Sequence, residues 1–477
     1  KSHKMIKPSI SPNCNKNYLA KIFLMQDRNI KKHPNADRLS IVEVDFMPVI
    51  SNNPVANQWY VFFPTECQIN SDYLSHTNSY RDKELNKDPK TTPGFFEKNA
   101  RVKTVKLRGE YSTGYITPLS SVEEFIGQEI EKKEVYFDML DTFQLVKKYR
   151  KPFADRGEVN GQPRTKSDKK SVKLSVVEGQ FQFHEDTENL RKNMFMLYPE
   201  DIINVSFKYH GTSAIHANLL HEKAIKAKWY QKLVGVKDRV EQYYNYIASS
   251  RKVIKSDPDL KDTGYYKEDI WSHVLQEIKD RIPKGWTIYS EIVGYLPSGA
   301  MIQKDYDYGY DSGTYGVIPY RITVTNADGD EVELSPEQII EWSKKNGLVP
   351  MHSYFTGTVK DHYDYLLSKH FSEKAAKAFV DVNEIKSNEG IYSEEYKKAL
   401  TEFRAEYLHM LEAEYNEKDC PICINKVPEE GIIIRKLKHP SKFEAFKLKS
   451  KRFLQKESEQ ADKGIVDIEE EQSGDIV

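Results

Sequence analysis

A lysine stands where a strand-like apolar run gives way to a glycine turn. Residues 202–207 form the run, and Lys208-Tyr209-His210-Gly211-Thr212-Ser213 follows it. Such a position presents an ε-amine as a nucleophile, provided that the amine is deprotonated, and free lysine titrates near ~10.4. Burial and neighbouring positive charge lower that pKa. By itself the pattern is unspecific, because a lysine shortly before a glycine is usually a solvated side chain beside a turn.

Five further segments follow in order, each next to a strand-like run, at 249–253, 289–294, 318–324, 428–434 and 446–449. Their polar and aromatic residues are suited to handling a nucleotide. In chain order these are Arg251, Glu291, Tyr320, Glu430, Lys447 and Lys449. The gaps between the segments leave room for separate strands that meet at one cleft. Agreement of the five segments with the lysine is far more specific than any one of them.

Lys447 and Lys449 are two residues apart and therefore lie on one face of a predicted strand. Two ammonium groups there can neutralise the charge that builds on phosphates during phosphoryl transfer, and can lower the pKa of a nearby lysine. The alternative is a basic strand on the surface. Glu430 precedes Gly431 and three isoleucines, so its carboxylate is expected at the mouth of a buried strand, where it could hold a hard divalent ion. A solvated strand-end glutamate is the alternative.

The remaining three residues each have a binding role and an ordinary alternative. Tyr320 lies in an apolar strand-like run, and its flat ring is a platform for a base, although such a tyrosine is more often core. Glu291 can accept hydrogen bonds from ribose hydroxyls, or can pair with a structural arginine. Arg251 offers a fork for phosphate or a nucleic-acid end, whereas a lone arginine is most often surface.

Taken together, the segments of residues 172 to 450 resemble the covalent nucleotidyltransferase superfamily of ATP-dependent ligases and capping enzymes. Lys-x-His-Gly-Thr-Ser, Ser-Ser-Arg and Glu-Glu-Gly followed by Lys-x-Lys look most like the nick-sealing RNA ligases of the phage RNA ligase 2 type. Many ligases and capping enzymes carry an aspartate where this chain has His210. The phage-type RNA ligases tolerate histidine there, which narrows the resemblance and leaves metal ligation open.

The resemblance implies an ATP-dependent RNA ligase that joins 3′-hydroxyl and 5′-phosphate ends at nicks in duplex RNA, with Mg²⁺ or Mn²⁺. Lys208 would form lysyl-AMP, Tyr320 would stack on adenine, and Glu291 and Arg251 would position the ribose and the phosphate or nick. Glu430 would organise the metal, and Lys447 and Lys449 would grip phosphates. Nucleotide contacts are also expected from Tyr209, His210 and Gly211. The rivals are a DNA ligase, a capping guanylyltransferase, and a non-catalytic RNA-binding protein.

Length and composition limit the number of domains, the class of protein and the cellular compartment. The 477 residues exceed one ordinary domain, and 71 basic against 72 acidic residues give no global signature of nucleic-acid binding. Without an apolar run long enough for a bilayer or a signal peptide, we expect a cytoplasmic or other intracellular soluble compartment and no membrane contact. We also expect a monomer. Four cysteines argue for reduced thiols. Cys420 and Cys423 have zinc-knuckle spacing without a second pair, leaving His409 or His439 as speculative partners.

The predicted fold class is α+β, with an OB-like β-barrel before a ligase-type nucleotidyltransferase domain of antiparallel sheets with flanking helices. Residues 15–145 read as the all-β, OB-type RNA-binding domain, in which Lys103, Lys106 and Arg108 are expected to contact the RNA backbone. A solvated edge strand is the alternative. Residues 146–171 form a basic linker, 172–450 the catalytic domain and 451–477 an acidic tail. Capping enzymes and many DNA ligases carry their OB domain after the Lys-x-Lys strand, whereas here it comes first.

Helical spacing is present in three stretches of the predicted catalytic domain. These are Glu222 to about Lys255, where Val240, Tyr243, Tyr244 and Ile247 recur at helical intervals, Tyr266 to Ile282, and Asp361 to Lys418. All three are predicted to be packing helices.

Overall fold

The computed structural model describes residues 4–150, 158–159, 162–163, 175–256, 269–389, 393–438 and 442–465. These residues contain helices and several antiparallel sheets, so the predicted α+β class is confirmed. Within the described ranges, no helix has both the length and the apolar character needed to cross a lipid bilayer.

The strands, in chain order, are β1 Pro8–Ser9, β2 Ala20–Leu24, β3 Ile30–Lys32, β4 Leu39–Val44, β5 Met47–Asn52, β6 Trp59–Pro64, β7 Cys67–Ile69, β8 Val105–Leu107, β9 Glu110–Ser112, β10 Gly114–Pro118, β11 Val135–Phe137, β12 Met139–Leu140, β13 Phe143–Gln144, β14 Val146–Lys148, β15 Glu158–Val159, β16 Gln162–Pro163, β17 Glu188–Asn189, β18 Ile202–Lys208, β19 Thr212–Ile225, β20 Arg239–Ser249, β21 Ile254–Ser256, β22 Trp286–Gly294, β23 Tyr315–Thr325, β24 Glu331–Glu333, β25 Ser353–Thr358, β26 Gly431–Lys436 and β27 Glu444–Lys449. The α-helices are α1 Ser71–His76, α2 Leu119–Ile126, α3 Leu190–Asn193, α4 Trp229–Leu233, α5 Ile270–Ile278, α6 Pro336–Lys345, α7 Val359–Lys369, α8 Glu373–Glu389, α9 Glu394–Tyr415 and α10 Lys451–Asp462.

Two compact units divide the chain. The first contains the described residues of 1–151, 188–195 and 449–465, and the second contains those of 152–187 and 196–448. The first unit is therefore assembled from three separate stretches of sequence. Residues 451–462, placed in the acidic tail by sequence, form α10 and belong to this unit.

Small antiparallel sheets make up most of the first unit. The largest has the strand order β10-β6-β2-β11, and β3-β4-β5 forms another. Phe63, Ile22 and Phe137 from the largest sheet pack with Tyr73 of α1 and Val122 of α2 in one buried cluster. The expectation that this region is all-β was wrong in this respect, because two helices supply part of its core. Asn70 caps α1 by accepting from two backbone amides, and Gly127 ends α2 in the left-handed conformation that glycine favours.

Helix α10 is held in the first unit through a buried arginine. Arg101 is 2 % exposed. Its guanidinium donates to the backbone oxygen of Ser458 at 3.1 Å, and also pairs with Asp462 and with Glu66. A buried guanidinium needs such partners, since an unpaired buried charge is costly. The helix therefore satisfies a charge that lies inside the unit.

The second unit contains a six-stranded antiparallel sheet with the order β21-β20-β19-β22-β23-β24. Trp271, Val274 and Leu275 of α5 pack against Ile288 and Ile292 on one face of this sheet. A second antiparallel sheet has the order β27-β26-β18-β25 within the unit. Helices α7, α8 and α9 occur where helical spacing predicted them, and α5 lies inside the predicted stretch 266–282.

The prediction of a helix from Glu222 to about Lys255 was wrong. The stretch consists of the end of β19, the short helix α4, and strands β20 and β21. Val240, Tyr243, Tyr244 and Ile247 all lie in β20, which pairs with β19 over eleven residues from Ile215↔Ser249 to Ile225↔Arg239. Valine, isoleucine and tyrosine favour strands, and a long partner strand outweighs a coincidental helical spacing.

The connection between the two sheets is very short. Strand β18 lies in the second sheet and ends at Lys208, and β19 begins in the six-stranded sheet at Thr212. Only Tyr209, His210 and Gly211 separate them. This crossing brings side chains from the ends of both sheets to the same place.

Candidate active site

Lys208 and Glu430 form an ion pair at the end of the second sheet. The Nζ of Lys208 lies 2.7 Å from Oε1 of Glu430. Strand register accounts for the contact, because Lys208 pairs with Gly431, the residue after Glu430. The glutamate side chain is 3 % exposed and the lysine side chain 21 %. The carboxylate is therefore buried, whereas the lysine is partly open to solvent. The two residues that sequence assigned to nucleophile and metal are in direct contact.

His210 adds a second basic side chain to this carboxylate. Its Nδ1 lies 3.6 Å from Oε2 of Glu430. The backbone amide of His210 donates to the hydroxyl of Tyr308 at 2.7 Å, and its ring meets the edge of Tyr306, with centroids 4.9 Å apart. The connection between β22 and β23 therefore fixes the loop that follows the lysine. Sequence reasoning missed both tyrosines, since no motif covers that connection.

Gly211 lies against strand β22 with no room for a side chain. A Cβ at this position would stand 2.1 Å from the backbone oxygen of Ile292. The amide of Gly211 donates to Oε1 of Glu291 at 2.9 Å, and its carbonyl accepts from Gln303 at 2.8 Å. The glycine of the predicted motif is required by this close approach, and it ties Glu291 to the lysine loop.

Tyr320 occupies an irregular position in β23. Register shifts between Tyr289 and Ser290, which pair with Arg321 and Pro319, so Tyr320 is the extra residue of a β-bulge. Bulges re-aim a side chain relative to the regular alternation of a strand. Burial raises the pKa of Tyr320, the Glu291 carboxylate raises it further, and Arg251 and Arg321 oppose the rise. The tyrosine is therefore close enough to Glu291 and Arg251 to respond to their charges.

Asp186 links two of the predicted phosphate-binding residues. Its Oδ1 accepts from Nζ of Lys447 at 3.0 Å and lies 3.6 Å from Arg251. Arg251 also donates to the hydroxyl of Ser213 at 3.1 Å, in the strand that begins beside Gly211. Sequence reasoning missed Asp186, which lies in an irregular segment without a motif. A series of contacts thus joins Lys208, Gly211, Glu291, Arg251 and Lys447 within the second unit.

Lys449 has a different neighbour from Lys447. The two lysines alternate with buried Phe446 and Leu448, so they share one face of β27 as predicted. The Nζ of Lys449 lies 3.3 Å from the Glu457 carboxylate on α10, within the first unit. Its place among the predicted phosphate-binding residues stays a prediction.

A buried layer of aromatic rings and charges lies beneath Tyr320. Arg321 makes two hydrogen bonds to Glu333, at 2.7 and 3.2 Å, and its guanidinium lies 4.6 Å from the ring centre of Tyr289. The His184 ring is 5.2 Å from that of Tyr320. Burial, with the charges of Arg321 and Arg251, lowers the pKa of His184 to about 3. His184 is therefore a neutral packing partner at ordinary pH.

The glutamate before Glu430 has a distinct environment. Glu429 is fully buried, and its Oε1 accepts from the hydroxyl of Tyr354 at 3.3 Å. Burial raises the pKa of Glu429 to about 7, and the nearby Lys418 ammonium opposes the rise. The two adjacent glutamates therefore have different partners: Glu429 contacts a tyrosine hydroxyl, whereas Glu430 contacts the ε-amino group of Lys208.

Cys420 and Cys423 are both reduced. A hydrogen bond with Cys423 lowers the pKa of the Cys420 thiol to about 7. Within the described ranges, no group of three or more His, Cys, Asp or Glu side chains is arranged to hold a metal ion. His409 lies 3.9 Å from Glu406 in its own helix, and His439 falls outside the described residues. The described residues therefore offer no complete ligand set for zinc.

The predicted RNA-contacting residues of the first unit fall in and around the hairpin of β8 and β9. Lys106 is exposed and lies 5.0 Å from the ring centre of Tyr111. Arg108 is exposed and donates to the backbone oxygen of Asn35 at 3.3 Å, so the turn at 33–39 contacts this hairpin. Lys103 instead pairs with Asp462 of α10 at 2.9 Å. Two of the three side chains are therefore placed at the surface.

Comparison with known proteins gives a fold but no family. Neither protein-family models nor curated proteins match the sequence. Among solved structures, an apo variant of the Naegleria gruberi RNA ligase has a TM-score of 0.50 and 12 % identity, covering 93 % of this chain and 98 % of its own. The chain therefore shares that fold.

Two other structures of that ligase are also similar. A variant with ATP and manganese has a TM-score of 0.49 and 13 % identity, covering 92 % of this chain and 98 % of its own. The ligase with pyrophosphate has a TM-score of 0.48 and 13 % identity, covering 93 % and 99 %.

Proposed function

We propose that the chain is an ATP-dependent RNA ligase that joins 3′-hydroxyl and 5′-phosphate ends through a lysyl-AMP intermediate. The observation that carries the proposal is the contact of Lys208 with Glu430, beside a glycine loop whose amide binds Glu291. A nucleophilic amine, a buried carboxylate and a ribose-binding carboxylate are what transfer of a nucleotidyl group requires. The fold shared with an RNA ligase is compatible with this chemistry.

Three displacements at phosphorus make up the proposed reaction. The deprotonated Lys208 amine attacks the α-phosphorus of ATP, a P–N bond forms, and pyrophosphate leaves. The RNA 5′-phosphate then attacks the same phosphorus, which breaks the P–N bond and gives an RNA adenylate. Finally the 3′-hydroxyl attacks the 5′-phosphate, forming the phosphodiester and releasing AMP.

The residues around the lysine fit a nucleotide. Tyr320, re-aimed by its bulge, would stack on adenine, and Glu291 would accept from ribose hydroxyls. Lys447 and Arg251 share Asp186, and both would exchange that carboxylate for phosphate oxygens. His210 would contact the α-phosphate beside Lys208, with Tyr209 at the same loop.

A hard divalent ion, Mg²⁺ or Mn²⁺, also fits this site. The Glu430 carboxylate lies directly against Lys208. Mg²⁺ is commonly held by one or two carboxylates together with substrate phosphates and water, so a three-residue cage is not needed. Bound there, the ion would neutralise charge on the phosphates. Glu430 would hold it.

For the rest of the chain, we propose the organisation predicted from sequence. Residues 15–145 would be an OB-type RNA-binding domain, 146–171 a basic linker, 172–450 the catalytic domain and 451–477 an acidic tail that begins with helix α10. Lys106 and Arg108 are exposed and suited to phosphate contacts, and Lys103 would join them by exchanging Asp462 for phosphate. The substrate would be nicked duplex RNA, and the enzyme a monomer.

The test is covalent labelling. Purified protein is incubated with α-labelled ATP or GTP and Mg²⁺ or Mn²⁺, denatured, and examined for bound label. We expect label from ATP on the natural chain and on Lys345→Ala, a surface control, but none on Lys208→Ala. Label from GTP alone would identify a capping enzyme. Absence of label from either nucleotide, in protein shown by mass spectrometry to carry no AMP, would overturn the proposal and favour a non-catalytic RNA-binding protein.

A second assay identifies the strand chemistry. Nicked duplexes with RNA or DNA on each side of the nick are presented with ATP, and joined product is measured. Sealing of a 3′-hydroxyl RNA nick is expected. Sealing confined to nicks with DNA on both sides would identify a DNA ligase.

A further inference from the structure

A two-legged hairpin projects from the six-stranded sheet at residues 223–241, and we call it the arm. Its legs are the C-terminal end of β19 and the N-terminal end of β20, and α4 lies at its tip. Pairing between the legs continues to Ile225↔Arg239. Strand β22 pairs with β19 only over Thr212–Ala217. Among the strands that the structure describes, none other than the opposite leg pairs with the arm.

The tip of the arm is held in one conformation by local hydrogen bonds. The amide of Lys232 donates to the carbonyl of Lys228 at 3.0 Å, and that of Val236 donates to Gln231 at 2.9 Å. The amide of Ala227 donates to the Asp238 carboxylate at 2.8 Å, which joins the two legs. The side chains of the tip are therefore presented by an ordered backbone.

Large apolar side chains on this tip face solvent. The exposed fractions are 76 % for Trp229, 76 % for Leu233 and 78 % for Val234. Tyr230 is 49 % exposed, and its ring lies 6.0 Å from that of Trp229 at an angle of 86°. Contiguous exposed apolar residues on a soluble surface mark an interaction site. An ordered tip that buries none of them is suited to a partner.

The charge of the arm indicates what the partner is. Residues 223–241 contain six basic and two acidic residues, in a chain whose net charge is −1. The basic residues are Lys223, Lys226, Lys228, Lys232, Lys237 and Arg239. One exposed pair, Lys232 with Asp238 at 3.7 Å, removes little of this charge because surface pairs are weak. The arm is a local positive region next to exposed aromatic rings.

Nucleic acid matches both properties at once. Phosphates pair with lysines, and exposed tryptophan and tyrosine rings stack on unpaired or terminal bases. Resting on the function proposed above, we propose that the arm is a second RNA-binding surface, in which the lysines hold phosphates and Trp229 and Tyr230 stack on bases. It lies in the same unit as Lys208 but far along β19 from it.

The distance from the site makes the proposal specific. Strand β19 runs fourteen residues from Thr212, beside the active-site loop, to Ile225. At about 3.3 Å per residue, the arm begins roughly 40 Å from the lysine loop. That separation is on the order of a dozen base pairs or more, because A-form RNA rises less per pair than the ~3.4 Å of B-form DNA. A nicked RNA must therefore extend beyond that length on one side to reach the arm.

The experiment measures binding of two nicked RNA hairpins by fluorescence anisotropy. One hairpin has roughly 6 base pairs on each side of the nick, too few to reach the arm, and the other has roughly 20, enough to reach it. The variants are K226A/K228A/K232A and W229A/Y230A. F371A/K345A is the control, because it removes an aromatic that is 70 % exposed and a lysine that is 71 % exposed elsewhere in the second unit. All proteins are also assayed for labelling by ATP without RNA.

We expect the natural chain to bind the long RNA more tightly than the short one, and the control to do the same. Both arm variants should bind the long RNA about tenfold or more weakly, and the lysine variant should lose about two to three units of salt slope. Labelling by ATP should stay within about twofold, since neither set of residues contacts the Lys208 site.

Several outcomes would overturn the proposal. The proposal is wrong when the arm variants bind the long RNA within twofold of the natural chain. It is also wrong when the natural chain binds no RNA. Loss of binding to anionic vesicles, or of self-association, with unchanged RNA binding would assign the arm to a membrane or to a second copy of the chain. Failure of ATP labelling in the natural chain concerns the proposed function instead, and leaves the RNA-binding comparison interpretable.

Discussion

The Nζ of Lys208 lies 2.7 Å from the Oε1 of Glu430, although 222 residues separate them in the sequence. The contact forms because β18 and β26 are neighbours with Lys208 opposite Gly431. A lysine nitrogen that is bound to a carboxylate is not free to attack phosphorus. The availability of the amine is therefore coupled to what else the Glu430 carboxylate binds.

Replacing Glu430 with glutamine tests this coupling. Glu430→Gln keeps the shape but removes the charge that holds the lysine and would hold a divalent ion. We expect labelling by ATP to fall about 100-fold or more, a loss of transition-state stabilisation of about 3 kcal/mol. Glu429→Gln is the matched control, because this buried neighbour has a pKa raised to about 7 by burial. It should retain most of the labelling, and equal losses in the two variants would contradict the assignment.

Gly211 should tolerate no side chain. In Gly211→Ala the new methyl group would meet the backbone oxygen of Ile292 at 2.1 Å, and a backbone atom cannot rotate away. We expect a loss of about 2 kcal/mol or more in the free energy of unfolding, together with lower labelling, because the amide moves away from Glu291. For comparison, Gly235→Ala in the arm meets open space at a φ of +85° and should cost only about 1 kcal/mol. Urea titration measures both, and equal costs would contradict the steric argument.

The ring of Tyr320, and not its hydroxyl, is predicted to bind the nucleotide. Burial keeps the hydroxyl protonated by raising its pKa. Tyr320→Phe should therefore label with an apparent KM for ATP close to that of the natural chain, whereas Tyr320→Leu should raise KM about tenfold, since base–aromatic stacking contributes about 1–3 kcal/mol. A Tyr320→Phe variant as defective as Tyr320→Leu would assign the role to the hydroxyl.

His362 should make unfolding sensitive to pH. The ring is buried between the hydroxyls of Tyr407 and Tyr415, at 2.7 and 2.9 Å, and burial lowers its pKa to about 4. Between pH 6.5 and pH 4 the imidazole of His362 is protonated in the unfolded chain but stays neutral in the folded chain. The free energy of unfolding therefore falls as pH falls from 6.5 toward 4. At pH 4.5 the loss from this residue is about 2.5 kcal/mol.

The non-titrating variant His362→Gln isolates that contribution. Urea unfolding at pH 7 and pH 4.5 should show a smaller pH-dependent loss in the variant than in the natural chain, by about 2.5 kcal/mol. His216, whose pKa burial also lowers to about 4, titrates in both proteins and cancels in the comparison. An identical pH dependence in the two proteins would show that His362 does not bear the shift.

Much of the candidate site could be predicted because its residues occur at strand ends. Lys208, Gly211, Glu291 and Glu430 each stand next to an apolar run, and antiparallel pairing brings those runs together. The aromatic residue Tyr320 was also placed in its strand. Its bulge could not be predicted, because register depends on the partner strand and not on local spacing.

Other residues carried no local signal. Asp186 lies in an irregular segment, and it becomes significant only because Lys447 and Arg251 meet there. Tyr306 and Tyr308 belong to a long connection between strands. The stretch containing Tyr243 and Ile247 was mistaken for a helix, because helical intervals among aromatic and β-branched residues also occur by chance in strands. These errors arise where distant contacts decide the structure.

Helix α10 gives the first unit an unusual history during synthesis. Arg101 is translated 357 residues before its partner Ser458, and the 196–448 part of the second unit is made in between. At about 5–20 residues per second, the interval is roughly 15–70 s. Until α10 has been made, the guanidinium of Arg101 lacks the partners that this helix supplies. The stretch 449–465 thus completes a unit whose other parts are translated before it.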